Sequence, residues 1–203
     1  MSAQYRDALE TLRAGGIVAL PTDTVYGLVA VAADRAVVER VYEVKARDPK
    51  QPLPFLVASV EQAELIAEVN DVARRLMQRF WPGALTIVLR KRQAYETRAA
   101  AGGDTVGVRV PADPALRELA SQAGPLTGTS ANIAGRDECH TAADVRAQLG
   151  DAVDLIVEAP IDATGRPSTV VDGTEPGRVR VLREGAIGRD ALREALAGAA
   201  EVV

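Results

Sequence analysis

Aromatic side chains make up only 3% of the 203-residue sequence, and it holds a single cysteine, Cys139, next to a single histidine, His140. So few aromatics imply a core of Val, Leu, Ala and Ile, and leave little flat surface on which nucleic-acid bases could stack. A lone cysteine excludes an intrachain disulfide and any Cys-rich zinc site. Cys139 and His140 cannot close a metal centre by themselves, and they read as part of a polar loop. Lys and Arg number 24 against 28 Asp and Glu, a net charge of -4. Bulk electrostatic attraction to nucleic acid is therefore not expected, although a local basic hollow remains compatible with this balance. No apolar stretch approaches the roughly 20 residues that a bilayer span needs, and the opening MSAQYRDALETLR has no apolar run of the leader-peptide kind. A cytoplasmic location is the default expectation. A Gly-rich loop ending in Lys-Ser or Lys-Thr, a Gly-x-Gly-x-x-Gly after a strand and a nucleophile elbow are all missing. Neither a P-loop nor a dinucleotide fold is supported.

What is present alternates between helix and strand patterns. Helices are expected over 3–14 with Ser2 as cap, from Asp34 through Lys45, after the Ser59/Gln62 capping-box signal, over 71–80, from Asp113-Pro114 to Gln122, after Thr141/Asp144, and over 189–196. Strands are expected at 17–20, 55–58, 85–89, 105–110, 126–129 and 155–158, with 169–171 and 179–182 as a closing pair. The polar stretch 90–103 reads as the best candidate for a mobile loop. Mostly alternating elements with a cluster of strands near the end imply an α/β fold. The expectation is one domain over 1–203, with a twisted mixed parallel and antiparallel sheet flanked by helices.

Polar side chains collect where these strands end. Pro21-Thr22-Asp23-Thr24 sets two hydroxyls and a carboxylate just past a strand, suited to a small polar ligand or to a turn that satisfies its own backbone. Lys45 and Arg47, two residues apart at a helix end, can converge on one anion or simply complement the helix dipole. In Thr105-Val106-Gly107-Val108-Arg109, residues 105, 107 and 109 share one face of a strand. A cation there needs a partner, either a ligand carboxylate or an internal Asp or Glu. Gly128-Thr129-Ser130-Ala131-Asn132 and Pro167-Ser168-Thr169-Val170-Val171-Asp172 are two further hydroxyl-rich segments beside short strands.

Together these segments resemble the Sua5/YrdC/YciO family. The resemblance runs from about Gly16 to Gly185 and rests on seven pieces in order. They are Pro-Thr-Asp-Thr-Val-Tyr-Gly-Leu, Lys-x-Arg, Phe-Trp-Pro-Gly with Leu85-Thr86, Val-Gly-Val-Arg-Val-Pro, Thr-Ser-Ala-Asn, Pro-Ser-Thr-Val-Val-Asp and Leu182-Arg183-x-Gly185. It implies an L-threonylcarbamoyladenylate synthase, a nucleotidyltransferase making threonylcarbamoyl-AMP and pyrophosphate from L-threonine, bicarbonate and ATP with Mg²⁺. Partner proteins would use the product to modify adenosine 37 of tRNA. Carried over by motif, Lys45, Arg47, Ser130 and Asn132 would bind ATP, with Thr105 and Arg183 also contacting it. Thr24, Arg109 and Ser168 would hold threonine, Arg109 on its carboxylate. Lys45 and Arg47 are the candidate catalytic pair, expected to be partly exposed, and no metal ligand is assigned within the chain.

Three departures stand out. Ala46 fills a position where the family commonly has Gly, Glu138 falls where it often has a nucleotide-contacting Ser, and the C-terminal domain of the longer Sua5 type is not expected. The alternative implied by the resemblance is a paralogue that binds RNA or nucleotide without catalysis, and weak RNA binding is left open as a partner property.

Overall fold

The computed structural model describes residues 2–159 and 166–203. In chain order the elements are α1 (Ala3–Arg13), β1 (Val18–Pro21), β2 (Tyr26–Val29), α2 (Arg35–Val44), β3 (Phe55–Leu56), α3 (Val60–Ile66), α4 (Asp71–Phe80), β4 (Leu85–Arg90), β5 (Thr105–Arg109), α5 (Pro114–Ala123), β6 (Leu126–Thr127), β7 (Thr129–Ser130), α6 (Ala142–Leu149), β8 (Leu155–Ile156), β9 (Thr169–Asp172), β10 (Arg178–Arg183), α7 (Arg189–Ala195) and β11 (Glu201–Val202). The fold is mixed α/β, as the alternation of patterns predicts.

Helix starts are set by their caps. Asp34 accepts from the backbone of Ala36 and Val37, Asn70 from Ala73, and Asp113 from Ala115 and Leu116 ahead of Pro114 at the first turn. Thr141 and Asp144 form a reciprocal capping box on α6. The Ser59/Gln62 signal is met only by half. Ser59 accepts from the Gln62 amide, but the Gln62 side chain accepts from Ala58 and donates to Ala120, which ties α3 to α5.

Among the described residues the strands form two mixed sheets, ordered β7-β2-β1-β8 and β11-β10-β9-β4-β5-β3-β6. In the larger sheet β4 runs parallel to β9 and antiparallel to β5, and β3 runs parallel to β5 and antiparallel to β6. The run 126–129 that reads as one strand is divided at Gly128. β6 pairs with β3 in the larger sheet and β7 with β2 in the smaller, so the chain changes sheet at this residue. A Cβ on Gly128 would lie 2.4 Å from Leu56 Cγ, which is why the crossing needs glycine.

The larger apolar cluster packs α2, α4 and α7 with the inner residues of the larger sheet, including Ile87, Val108, Val171 and Val179. A second cluster joins Leu9 and Leu12 of α1 to Leu116 and Leu119 of α5, with Val18, Leu20 and Leu126 beneath them. Burying one such aliphatic side chain contributes about 1.5–3 kcal/mol.

Segment 90–103, the candidate mobile loop, is tied to the body of the fold at several points. Thr97 donates to the Ala32 carbonyl, Arg98 pairs with Glu39 at 2.5 Å, and the Tyr95 ring meets Phe55 edge-on at 6.0 Å. Ala99 and Ala100 are buried in the larger cluster. The polar composition that suggests mobility belongs to side chains spent on anchoring the segment.

Candidate active site

Alternation along the strands decides what faces the open space between the two sheets. On β4, Leu85, Ile87 and Leu89 are buried in the core while Thr86 and Val88 face the other way. On β5, Val106 and Val108 go to the core, and Gly107 and Arg109 face outward beside them. These outward residues floor a cavity of about 480 Å³. Its opposite wall carries Thr22, Thr24 and Gly27 from the β1–β2 hairpin and Thr129 and Ser130 from β7. Arg47, Ser168, Leu182 and Arg183 line its remaining sides.

Two polar groups share this cavity. The first begins at the end of α2. The Ala46 amide donates to Glu43 and the Arg47 amide to Tyr42, the paired bonds of a Schellman C-cap. That motif requires a left-handed residue between Lys45 and Arg47, and Ala46 indeed has φ of 47°. Ala46 thus occupies, with positive φ, the position where the family commonly has glycine, a conformation that favours glycine. The reversal sends the two cations different ways. Arg47 is half-buried, lines the cavity and donates from one terminal nitrogen to the Pro52 carbonyl at 3.1 Å, while its buried Nε has no partner among the described residues. Burial also pushes the Arg47 pKa down.

Lys45 departs from the sequence expectation of partial exposure. It is only 2% exposed, lies behind the cavity wall, and donates from Nζ to the carbonyl oxygens of Ser130 and Asn132, the latter at 2.7 Å. Loss of hydration pulls its pKa down to about 8, with the nearby Arg47 charge adding to the effect. Lys45 thus shapes the Ser130-Ala131-Asn132 loop from beneath. Asn132 is buried and donates to the carbonyls of Ile133 and Arg136, and its own side-chain oxygen has no partner among the described residues.

The second group centres on Arg109. Its guanidinium lies 2.6 Å from Asp23, with both side chains largely buried, and Nε donates to the Gly83 carbonyl at 2.8 Å. A longer bond of 3.4 Å reaches Thr24 Oγ1. The Asp23 contact is a short, largely buried ion pair. Arg109 therefore has an internal carboxylate partner, one of the two alternatives that its place on the strand left open. Its pKa is lowered by burial, opposed by Asp23 and assisted by the neighbouring Arg183 charge. Arg183 donates to the Ser168 carbonyl and hydroxyl, and Ser168 shares a 3.0 Å hydrogen bond with Thr86. Thr169, beside it, ties Gly185 and Ile187 to β9 and so holds the end of β10 in place.

Of the residues singled out in the sequence, Thr24, Arg47, Arg109, Ser130, Ser168 and Arg183 line the cavity. Lys45 and Asn132 support its wall. Thr105 pairs with Arg90 at the far start of β5 and does not line the cavity. Glu138 does line it. A carboxylate that replaces the family's frequent serine therefore faces the ligand space. Thr86, quoted with Leu85 in one motif but given no role, also lines the cavity, and its place two residues from Val88 on an alternating strand is the signal for it.

The Sua5_yciO_yrdC family model, described as telomere recombination, matches residues 10–185. The chain belongs to the Sua5/YciO/YrdC family. It is 39% identical over 85% of its length to the threonylcarbamoyl-AMP synthase of Pyrococcus abyssi, of which it spans about half (51%). It is 30% identical to the threonylcarbamoyl-AMP synthase of Vibrio vulnificus over 91% of this chain and 100% of that protein. Among solved structures, P. abyssi Sua5 complexed with L-threonine superposes with a TM-score of 0.90 at 35% identity, covering 98% of this chain and 58% of that one. E. coli YciO superposes at 0.79 with 26% identity, covering 93% and 92%. As a Sua5/YciO/YrdC member the chain carries the family's motifs on the walls of one cavity. Among the described residues no helix is long and apolar enough to cross a membrane.

Proposed function

We propose that this chain is a threonylcarbamoyl-AMP synthase, joining L-threonine, bicarbonate and ATP into threonylcarbamoyl-AMP and pyrophosphate, with tRNA-modifying proteins as users of the product. The observation that carries this reading is the convergence of Arg47, Ser130, Arg109, Ser168 and Arg183, from five separate segments, on one cavity.

The chemistry explains why those side chains belong there. The threonine amine forms an N–C bond to bicarbonate carbon with loss of water, and a carbamate oxygen then bonds to the α-phosphorus of ATP as the bond to pyrophosphate breaks. Both reactants are anionic, so the cavity has to offset charge and keep water from the labile carbamate. Arg109 suits the threonine carboxylate, because it is a buried cation on the cavity wall and Thr24 lies beside it. Ser168 and Thr86 offer hydroxyls to the amino acid. Arg47, with an unused Nε, and the Ser130–Asn132 loop suit the phosphates. Thr105 has no role here, and Lys45 acts by holding the loop.

Magnesium enters with ATP in this reading. Among the described residues no three His, Cys, Asp or Glu side chains cluster to hold a metal unaided, and Glu138 is the carboxylate lining the cavity. One oxygen donor suits an ion that brings phosphate and water as its other ligands. When bound, such an ion neutralises phosphate charge and eases pyrophosphate departure.

Pyrophosphate release measured with each substrate omitted in turn tests the proposal. Release should require threonine and bicarbonate together. ATP or RNA binding with no release under any combination refutes catalysis and favours the non-catalytic alternative.

A further inference from the structure

Glu138 is half-buried, and among the described residues that line the cavity it is the sole acidic one, against Arg47, Arg109 and Arg183. Among the described residues no hydrogen bond or ion pair occupies its carboxylate. Two cations of this region are held by other groups: Lys45 by the Ser130 and Asn132 carbonyls, and one terminal nitrogen of Arg47 by the Pro52 carbonyl. Its field nonetheless reaches Lys45, favouring the charged amine. By contrast Asp23, the other acid of this region, is already matched to Arg109.

An unpaired carboxylate in a space meant for a triphosphate is a liability unless something positive stands between the two anions. A divalent cation is the natural bridge. Mg²⁺ is commonly held by one or two carboxylates, with phosphate oxygens and water completing its octahedron. The sign of the effect then depends on the state of the nucleotide: Glu138 repels the free tetra-anion and attracts the metal complex.

We propose that Glu138 is a direct ligand of the divalent cation accompanying the triphosphate, so that this chain selects the metal–nucleotide complex against free nucleotide. The proposal rests on the ATP-binding reading above. It adds a cation-selecting residue at a position where a serine would contribute no charge.

The test is calorimetric titration of ATP without threonine, once with excess Mg²⁺ and once with EDTA, on the wild type, E138Q and E138D. In the wild type, Mg²⁺ should tighten ATP binding. In E138Q the ratio of the two affinities should shrink about tenfold, the order expected for one charge acting over several ångströms in a partly exposed site. Free ATP should bind more tightly than to wild type, and Mg-ATP more weakly. E138D, which keeps the charge on a shorter arm, should retain most of the selectivity. An unchanged ratio in E138Q, with ATP still bound, overturns the cation role while leaving the synthase reading intact. No ATP binding by the wild type in either condition overturns both.

Discussion

Removing Asp23 isolates the Arg109 charge, and the consequences are calculable. The pair meets at 2.6 Å with side-chain exposures of 7% for Arg109 and 13% for Asp23, so solvent screening is weak. Deleting one partner of a buried pair typically costs about 3–5 kcal/mol, because the surviving charge stays desolvated without compensation. For a chain of this size each kcal/mol moves the melting temperature by about 2–4 °C, so D23A should melt about 6–20 °C lower. The Gly83 carbonyl and Thr24 hydroxyl still accept from Arg109, which favours the lower half of that range. Two controls sharpen the reasoning. The double variant D23A/R109M removes both charges and should recover a large part of the lost stability. Saturating L-threonine should stabilise D23A more than wild type, since the ligand carboxylate enters the place Asp23 vacates. Thermal melts with and without threonine, supported by urea titration, read all of this out. A D23A loss under about 1 kcal/mol, the size seen for exposed ion pairs, would refute the argument. So would a double variant no more stable than the single one.

Two further expectations concern the end of α2. Lys45 has a folded pKa of about 8 against 10.5 when free, so above pH 8 the unfolded chain holds a proton that the folded chain has released. The Lys45 contribution to stability should therefore rise with pH from about 8 to 10.5, in total by on the order of 3 kcal/mol, and K45M should lack it. The Cys139 thiol, pushed up to about 11 by burial, acts oppositely above its usual 9, so pH 8–9 is the clean window for denaturant titrations, with a gain of about 1 kcal/mol. A wild type and K45M that run parallel across that window would contradict the buried, desolvated amine. Ala46 at φ 47° carries left-handed strain that glycine lacks, so A46G should raise stability by about 0.5–1 kcal/mol and the melting temperature by a few degrees. A lower melting temperature would show that the unfolded-state entropy of glycine outweighs the strain.

Local signals in the chain determined much of this protein. Helix starts at Asp34, Asn70, Asp113 and Thr141 follow from side chains that bond amides two or three residues away, and such bonds depend only on neighbours. The alternation that puts Gly107 and Arg109 on one strand face is likewise local. So was the family membership, since ordered motifs need no coordinates. What only the tertiary structure decided is how those faces are used. The split of 126–129 between two sheets depends on Leu56, more than seventy residues earlier, and so cannot be heard in the run itself. Burial of Lys45 depends on the Ser130 and Asn132 carbonyls folding over it, and Arg109's choice of Asp23 on a hairpin from the other sheet. Glu138 turned from an apparent misfit into a cavity residue for the same reason. Periodicity tells a side chain which way to point, but the charge it finally faces comes from another part of the chain.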